Sequence, residues 1–331
     1  MKLSIGIVGL PNVGKSTLFK KLTSQDILVA NYPFATIDPN VGIVPVPDAR
    51  LDKLSEMSHS KKKVPAIVEF YDIAGLVKGA NQGEGLGNKF LSHIRDTQAI
   101  ALVLRVFKSD EIIHVENSVD AERDMEIILT ELALKDLDTV EKRLSKLEGE
   151  ARTGDKHSIH SFEILKQIKE KLVAGLDIEE FAKEDIAKEL NLLTAKKKIF
   201  LLNGTPEEVP AGLLEKLQTR GAGSIVVDLS GEPDLADLIR KSYEILHLES
   251  FFTTGEDETR AWTIPVGAKA PEAAGAIHTD FEHKFIRAEV VAYDKFVEAG
   301  GWSQAKQKGW LRLEGKDYVV KDGDIMVIRH G

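Results

Sequence analysis

The chain has 331 residues, 43% hydrophobic and 29% charged, with a net charge of −9, a balance that excludes a disordered or membrane-embedded protein and leaves room for two or three domains. It contains no cysteine, so disulfides, thiolate catalysis and Cys-ligated zinc are excluded. No apolar run nears the roughly 20 residues that cross a bilayer and no signal-peptide pattern opens the sequence, so a cytoplasmic protein without membrane contact is expected, and the acidic balance argues against DNA or other nucleic acid held by bulk charge.

In chain order, residues 2–8 alternate and then run apolar into a glycine-rich turn, and residues 15–23 read as the start of a helix. Further strands are expected at 41–46, 66–71 and 99–106, each short and rich in Val and Ile. Such alternation with helical stretches predicts an α/β fold, a mostly parallel sheet with helices on both faces. From about 120 to 171 Gly and Pro become scarce. Leu137, Val140, Leu144 and Leu147 step by three and four, and Phe162, Leu165, Ile168 and Leu172 form a second stripe, which predicts two antiparallel helices joined at Arg152-Thr153-Gly154-Asp155. Strands resume at 198–202 and 224–229, so the hairpin is an insertion in one α/β domain. After about Leu248 short strands at 261–266, 284–291, 317–320 and 324–329 predict a separate small β-rich domain. The expected division is 1–119 with 196–248, a helical insertion at 120–195, and a C-terminal domain at 249–331.

Gly9-Leu10-Pro11-Asn12-Val13-Gly14-Lys15-Ser16 matches G-x-x-x-x-G-K-[ST] between a strand and a helix. Its glycines let consecutive amides of Asn12, Val13 and Gly14 turn toward phosphate, and the helix start carrying Lys15, Ser16 and Thr17 adds partial positive charge. Lys15 supplies a cation to the β and γ oxygens and Ser16 a hydroxyl for Mg²⁺. Asp72-Ile73-Ala74-Gly75 at the end of the third strand offers Asp72 to the metal shell and the Gly75 amide to the γ-phosphate, and Thr36, in the loop before the second strand, is the candidate second hydroxyl on the metal. Leu76 follows Gly75, where hydrolases that orient water with a Gln place it. A K⁺ ion held at Asn12, a histidine from another loop or a partner must serve instead, and His114 is the histidine to test.

Guanine-specific members of this fold carry N-K-x-D after the fifth strand. Here the segment is Asn203-Gly204-Thr205-Pro206-Glu207, with proline at the carboxylate position. Asn203 and Gly204 are expected at the nucleotide, but guanine specificity is not encoded. Asn117-Ser118-Val119-Asp120 also fits N-x-x-D but follows the fourth strand and reads as chance. Trp262, Trp302 and Trp310 read as core or surface aromatics rather than RNA-stacking platforms. The runs 61–63 and 196–198, all lysine, read as solvated loops rather than contacts to RNA phosphate.

The loop Gly9 to Ser16, the stretch Asp72-Ile73-Ala74-Gly75-Leu76-Val77-Lys78-Gly79-Ala80 with Gly83-Glu84-Gly85-Leu86-Gly87-Asn88, the His114 segment and Ile277-His278-Thr279-Asp280-Phe281-Glu282 resemble the YchF family, the Obg-like ATPases, over essentially the whole chain. The resemblance implies a P-loop G domain interrupted by a helical hairpin, a C-terminal TGS domain of β-grasp type, ATP preferred over GTP, hydrolysis stimulated by potassium, and association with the ribosome, on its large subunit. The family's N-x-x-E pattern has Pro206 at its Glu position here. The expectation is a monomeric nucleotide-switch ATPase, slow alone, with Mg²⁺ and K⁺ as cofactors. The alternatives are a ribosome-associated GTPase of the Obg class and a ribosome-binding scaffold with incidental hydrolysis.

Overall fold

The computed structural model describes residues 3–23, 40–73, 94–109, 112, 118–152, 154–220 and 223–331. One six-stranded sheet is built from β1 (Leu3–Val8), β2 (Val41–Pro45), β4 (Ile67–Asp72), β5 (Ala99–Arg105), β6 (Lys197–Asn203) and β7 (Gly223–Val227), in the order β2-β4-β1-β5-β6-β7. Every pairing is parallel except β2 with β4. The α/β class and all six strands read from the sequence are present, with ends displaced by a residue or two. β5 is buried along its whole length, as an apolar run sandwiched between helices should be. On one face lie α1 (Lys15–Thr23) and α7 (Leu235–Ile245), with Leu18, Leu22 and Ile239 in a single cluster with Ile5, Ile7 and Val103; α2 (Ala49–Met57), whose Leu54 joins that cluster, packs on strands of a second sheet. On the other, α3 (Ala121–Ala151) and α6 (Leu213–Thr219) bring Met125, Ile128, Leu132 and Leu217 against Ile100, Leu102 and Phe200.

The hairpin has two parts. The first turns of α3 pack on the sheet, while its distal part pairs with α4 (Lys156–Val173) through Val140, Leu147, Leu165, Ile168 and Leu172, the two stripes expected. At 1.5 Å per residue, the 31 residues of α3 extend about 46 Å. Asp120 caps α3 by accepting from Arg123 N at 3.0 Å, which gives the chance N-x-x-D match a structural purpose. Asp155 caps α4 through Ser158 N at 2.8 Å. Fully buried Asp136 accepts from Leu193 N, Thr194 N and Thr194 Oγ1 at 3.0, 2.7 and 2.6 Å, fixing the return of the chain to β6. Burial pushes its carboxyl above the ordinary range against those bonds. Lys196 and Lys198 do not form a solvated loop. Lys196 Nζ donates to Arg95 O at 2.8 Å and to Thr97 O, and Lys198, 6% exposed, binds Thr194 O and Asp177. Strand pairing of this run with β5 draws their stems inward, where carbonyls take the ammonium groups.

The second sheet has the order β11-β10-β12-β8-β9-β3. Its C-terminal members are β8 (Leu248–Thr254), β9 (Glu258–Pro265), β10 (Phe285–Ala292), β11 (Arg312–Glu314) and β12 (Asp324–His330). The sixth strand, β3 (Lys62–Val64), comes from the nucleotide-binding part and pairs parallel with β9, Lys62 opposite Glu258. The expected separate domain is therefore joined to its neighbour through a shared sheet, and the lysine run at 61–63 pairs with Asp257, Glu258 and Asp52. Leu51 and Leu54 share one apolar cluster with Phe252, Ala261 and Ile325. Arg50 reinforces the junction, donating to Asp48 and to Asp322 at 2.7 and 3.1 Å and lying over the Phe252 ring.

The strand expected at 317–320 is absent. Val319 makes a single bridge to Lys269, because Tyr318 turns to donate to Asp324 at 2.7 Å and no long strand lies alongside. Trp262 donates to Thr253 Oγ1 and Trp302 to Thr254 O, so both indoles belong to internal packing. Among the described residues, no helix is long and apolar enough to cross a membrane.

Candidate functional site

The carboxyl ends of β1, β5, β6 and β7 open on a cavity of about 690 Å³. Its floor is the turn after β1. Asn12 there takes the left-handed conformation, φ 62°, and Gly14 has φ 106°. A Cβ at Gly14 would lie 2.4 Å from Asn203 Nδ2, so only glycine fits. Val13 is buried beneath the loop, and α1 begins at Lys15, its first hydrogen bond running from Leu18 N to Gly14 O. The N–H groups of that first turn, including Ser16 and Thr17, have no partner within the helix by geometry, and both side chains are exposed on the cavity. This is an anion cradle.

Lys15 is 8% exposed, and its ammonium donates to Leu10 O at 2.5 Å. Burial lowers its pKa to about 8, while the charge of Asp72 acts in the opposite sense. Asp72, 7% exposed at the end of β4, is held opposite Ile7 by the parallel register. The cation and the carboxylate that the sequence singled out thus lie within each other's field. Thr36, Gly75, Leu76 and His114 lie outside the described residues.

Asn203 ends β6, 4% exposed, and its amide bridges two loops: Nδ2 donates to Val13 O at 2.9 Å and Oδ1 accepts from Leu229 N at 3.1 Å. The residue braces the phosphate loop against the turn after β7. Gly204 follows with φ 150°, where a Cβ would meet Val106 Cγ2 at 2.6 Å. Pro206–Glu208 forms a 3-10 turn in which Glu208 Oε2 accepts from Thr205 N at 2.9 Å. Of the two carboxylates near the displaced proline position, Glu208 lines the cavity, and Glu207 does not.

Two walls were not singled out from the sequence. One is Phe107, Lys108, Ser109 and Ile112 beyond β5; the other is Asp228, Leu229 and Ser230 beyond β7. Asp228 accepts from Ser230 N and Oγ, which hold its carboxyl below the usual range. The available signal was positional: ligands of parallel α/β sheets sit at the carboxyl ends of strands, and both walls begin there.

Residues 4–141 match a family model described as 50S ribosome-binding GTPase, and residues 248–331 match the YchF GTPase C-terminal model, described as a protein of unknown function (DUF933). The chain is 47% identical to the ribosome-binding ATPase YchF of Bacillus subtilis (strain 168) over 99% of both chains. The chain belongs to the YchF family. YchF of Escherichia coli O157:H7 is 44% identical over 98% of each chain, and Obg-like ATPase 1 of Gallus gallus is 41% identical over 99% of this chain and 92% of its own. The solved structure of the Schizosaccharomyces pombe YchF GTPase superposes with a TM-score of 0.82 at 37% identity, covering 99% of this chain and 98% of that one. YchF membership accounts for a P-loop domain and a distinct C-terminal sheet in one chain.

Proposed function

We propose that this YchF protein is a nucleotide-switch ATPase that binds ATP in the cavity above α1, hydrolyses it slowly to ADP and phosphate, takes GTP less well, and associates with the large ribosomal subunit as a cytoplasmic monomer. The observation that carries the hydrolase reading is the cradle itself: Gly14, Ser16 and Thr17 at the head of α1, with buried Lys15 in the field of Asp72, at one end of a cavity large enough for a nucleoside triphosphate. The base preference and the ribosome rest on relatives named ribosome-binding ATPases.

Ser16 offers a hydroxyl on the cavity, and Asp72, whose charge acts on the adjacent Lys15, offers a carboxylate, the hard oxygen donors suited to Mg²⁺, so the residues present fit that ion. Bound there, Mg²⁺ neutralises phosphate charge. Lys15 holds the β and γ oxygens, and the amides of the first turn of α1 orient the chain of phosphates. In this reading Thr36 and Gly75 sense the γ-phosphate. Leu76 has no group that orients water; His114 would position the nucleophile, and Asn12 would hold K⁺, which would supply positive charge beside the phosphates. Replacing His114 by Ala therefore lowers turnover and leaves ATP affinity intact; unchanged turnover removes it from the mechanism.

A GTPase is the second reading, favoured by one observation: Glu208 presents a carboxylate on the cavity rim, an acceptor that suits the N1 and N2 donors of guanine. Calorimetric titration with ATP and with GTP separates the two. Tighter ATP binding supports the first, and a clear preference for GTP overturns it.

A further inference from the structure

Arg105 closes β5 at 1% exposure, and among the described residues no carboxylate pairs with it. Among the described residues, its bonds run to carbonyls of the stretch that follows: Nε to Phe107 O at 3.1 Å, Nη1 to Ile112 O at 2.9 Å and Nη2 to Ser109 O at 3.4 Å. The guanidinium also lies over the Phe107 ring, 4.3 Å from its centre. From the other side, Val106 N and Phe107 N donate to Asn203 O at 3.0 and 3.3 Å. The backbone at 106–107 is therefore clamped between β6 and a buried cation.

A buried guanidinium is expensive unless its donors are satisfied, and here each of its three nitrogens meets a backbone carbonyl of the stretch beyond β5. The fixed fork of arginine reaches carbonyls spread over six residues; the single ammonium of lysine does not. The loop it holds is the wall of the cavity formed by Phe107, Lys108, Ser109 and Ile112. Besides the exposed Lys108 and half-buried Ser109, that wall offers an aromatic ring and an isoleucine 42% exposed, and these two side chains suit the flat, weakly polar nucleoside, while phosphate belongs to Lys15 and Ser16.

We propose that Arg105 is a positioning residue for the nucleoside: it touches no part of the nucleotide but fixes, through the carbonyls of Phe107, Ser109 and Ile112, the wall against which the nucleoside packs. The proposal rests on the nucleotide reading of the cavity. Its signature is selectivity of damage: loss of Arg105 weakens ligands that carry a nucleoside and spares those that are phosphate alone.

The test is calorimetric titration of the full chain, as wild type, Arg105→Lys and Arg105→Met, with ATP and separately with inorganic tripolyphosphate, both with Mg²⁺. Losing the three charge-assisted bonds is expected to raise the Kd for ATP about tenfold or more in Arg105→Met and by a smaller factor in Arg105→Lys, with the Kd for tripolyphosphate changed less than about twofold. Should the Met variant fail to fold, the Lys variant, which keeps the charge and most of the volume, carries the same comparison. Equal weakening of both ligands overturns the proposal by making Arg105 a general structural residue, and unchanged ATP affinity overturns it directly. A wild-type chain that binds tripolyphosphate but neither ATP nor GTP defeats the nucleotide reading first, and this proposal with it.

Discussion

Raising the pH from 7 to 9 perturbs one group at the phosphate site above all. Lys15 is nearly buried and its pKa lies at about 8, so in the free protein it is mostly charged at pH 7 and mostly neutral at pH 9. A polyphosphate requires the ammonium, and binding must then return the proton. With the free group at about 8, uptake on ATP binding is expected to be roughly 0.1 proton at pH 7 and roughly 0.9 at pH 9, and apparent affinity to fall about tenfold between them. Titration calorimetry at pH 9 in two buffers of different ionisation enthalpy reads the uptake directly. Lys15→Arg is the control, since its guanidinium stays charged throughout and the pH dependence should vanish. The same shift has a sign for stability. Between about 8 and 10.5 the unfolded chain holds more protons on Lys15 than the folded one, so the nucleotide-free protein gains stability as pH rises through that window. The burial penalty is fully present below it, on the order of 3 kcal/mol. No proton uptake at pH 9, or equal uptake in Lys15→Arg, refutes the reasoning.

Asn203→Ala leaves Val13 O and Leu229 N buried without the amide that now joins them; a loss of about 2–3 kcal/mol in denaturant unfolding is expected, together with weaker ATP binding, and an unchanged unfolding midpoint contradicts the bracing role. Arg50→Met removes the half-exposed bonds to Asp48 and Asp322 while keeping apolar contact with Phe252. It should lower stability by about 1–2 kcal/mol after allowing for solvent screening, with the C-terminal sheet melting earlier by calorimetry. A melting profile identical to that of wild type refutes the latch.

The sequence displayed whatever depends on local pattern. Apolar runs placed β1 and β5, spacing by three and four marked the stripes of Val140 and Leu165 that join one cluster, and the phosphate loop was complete in eight consecutive residues. What it hid depends on partners distant in the chain. Nothing in three lysines announces a strand; β3 exists because Glu258 and Thr259 lie alongside it almost two hundred residues later. Arg105 likewise looks like the polar end of a strand until the folded loop brings three carbonyls to its guanidinium. Tyr318 and Val320 carry the apolar alternation of a strand, yet a hydroxyl bond to Asp324 and the lack of a neighbouring strand leave a single bridge at Val319. Pro206 was legible as a departure from the base-reading pattern, but only the 3-10 turn it opens shows that Glu208 rather than Glu207 reaches the cavity.

The central claim is that the cavity above α1 hydrolyses a nucleoside triphosphate held by Lys15. Its most direct test is the rate of phosphate release from ATP with Mg²⁺ and K⁺, measured on the wild-type chain and on Lys15→Ala. The wild type should release phosphate slowly and saturably, and the variant none above background. Release at the same rate by both proteins contradicts it.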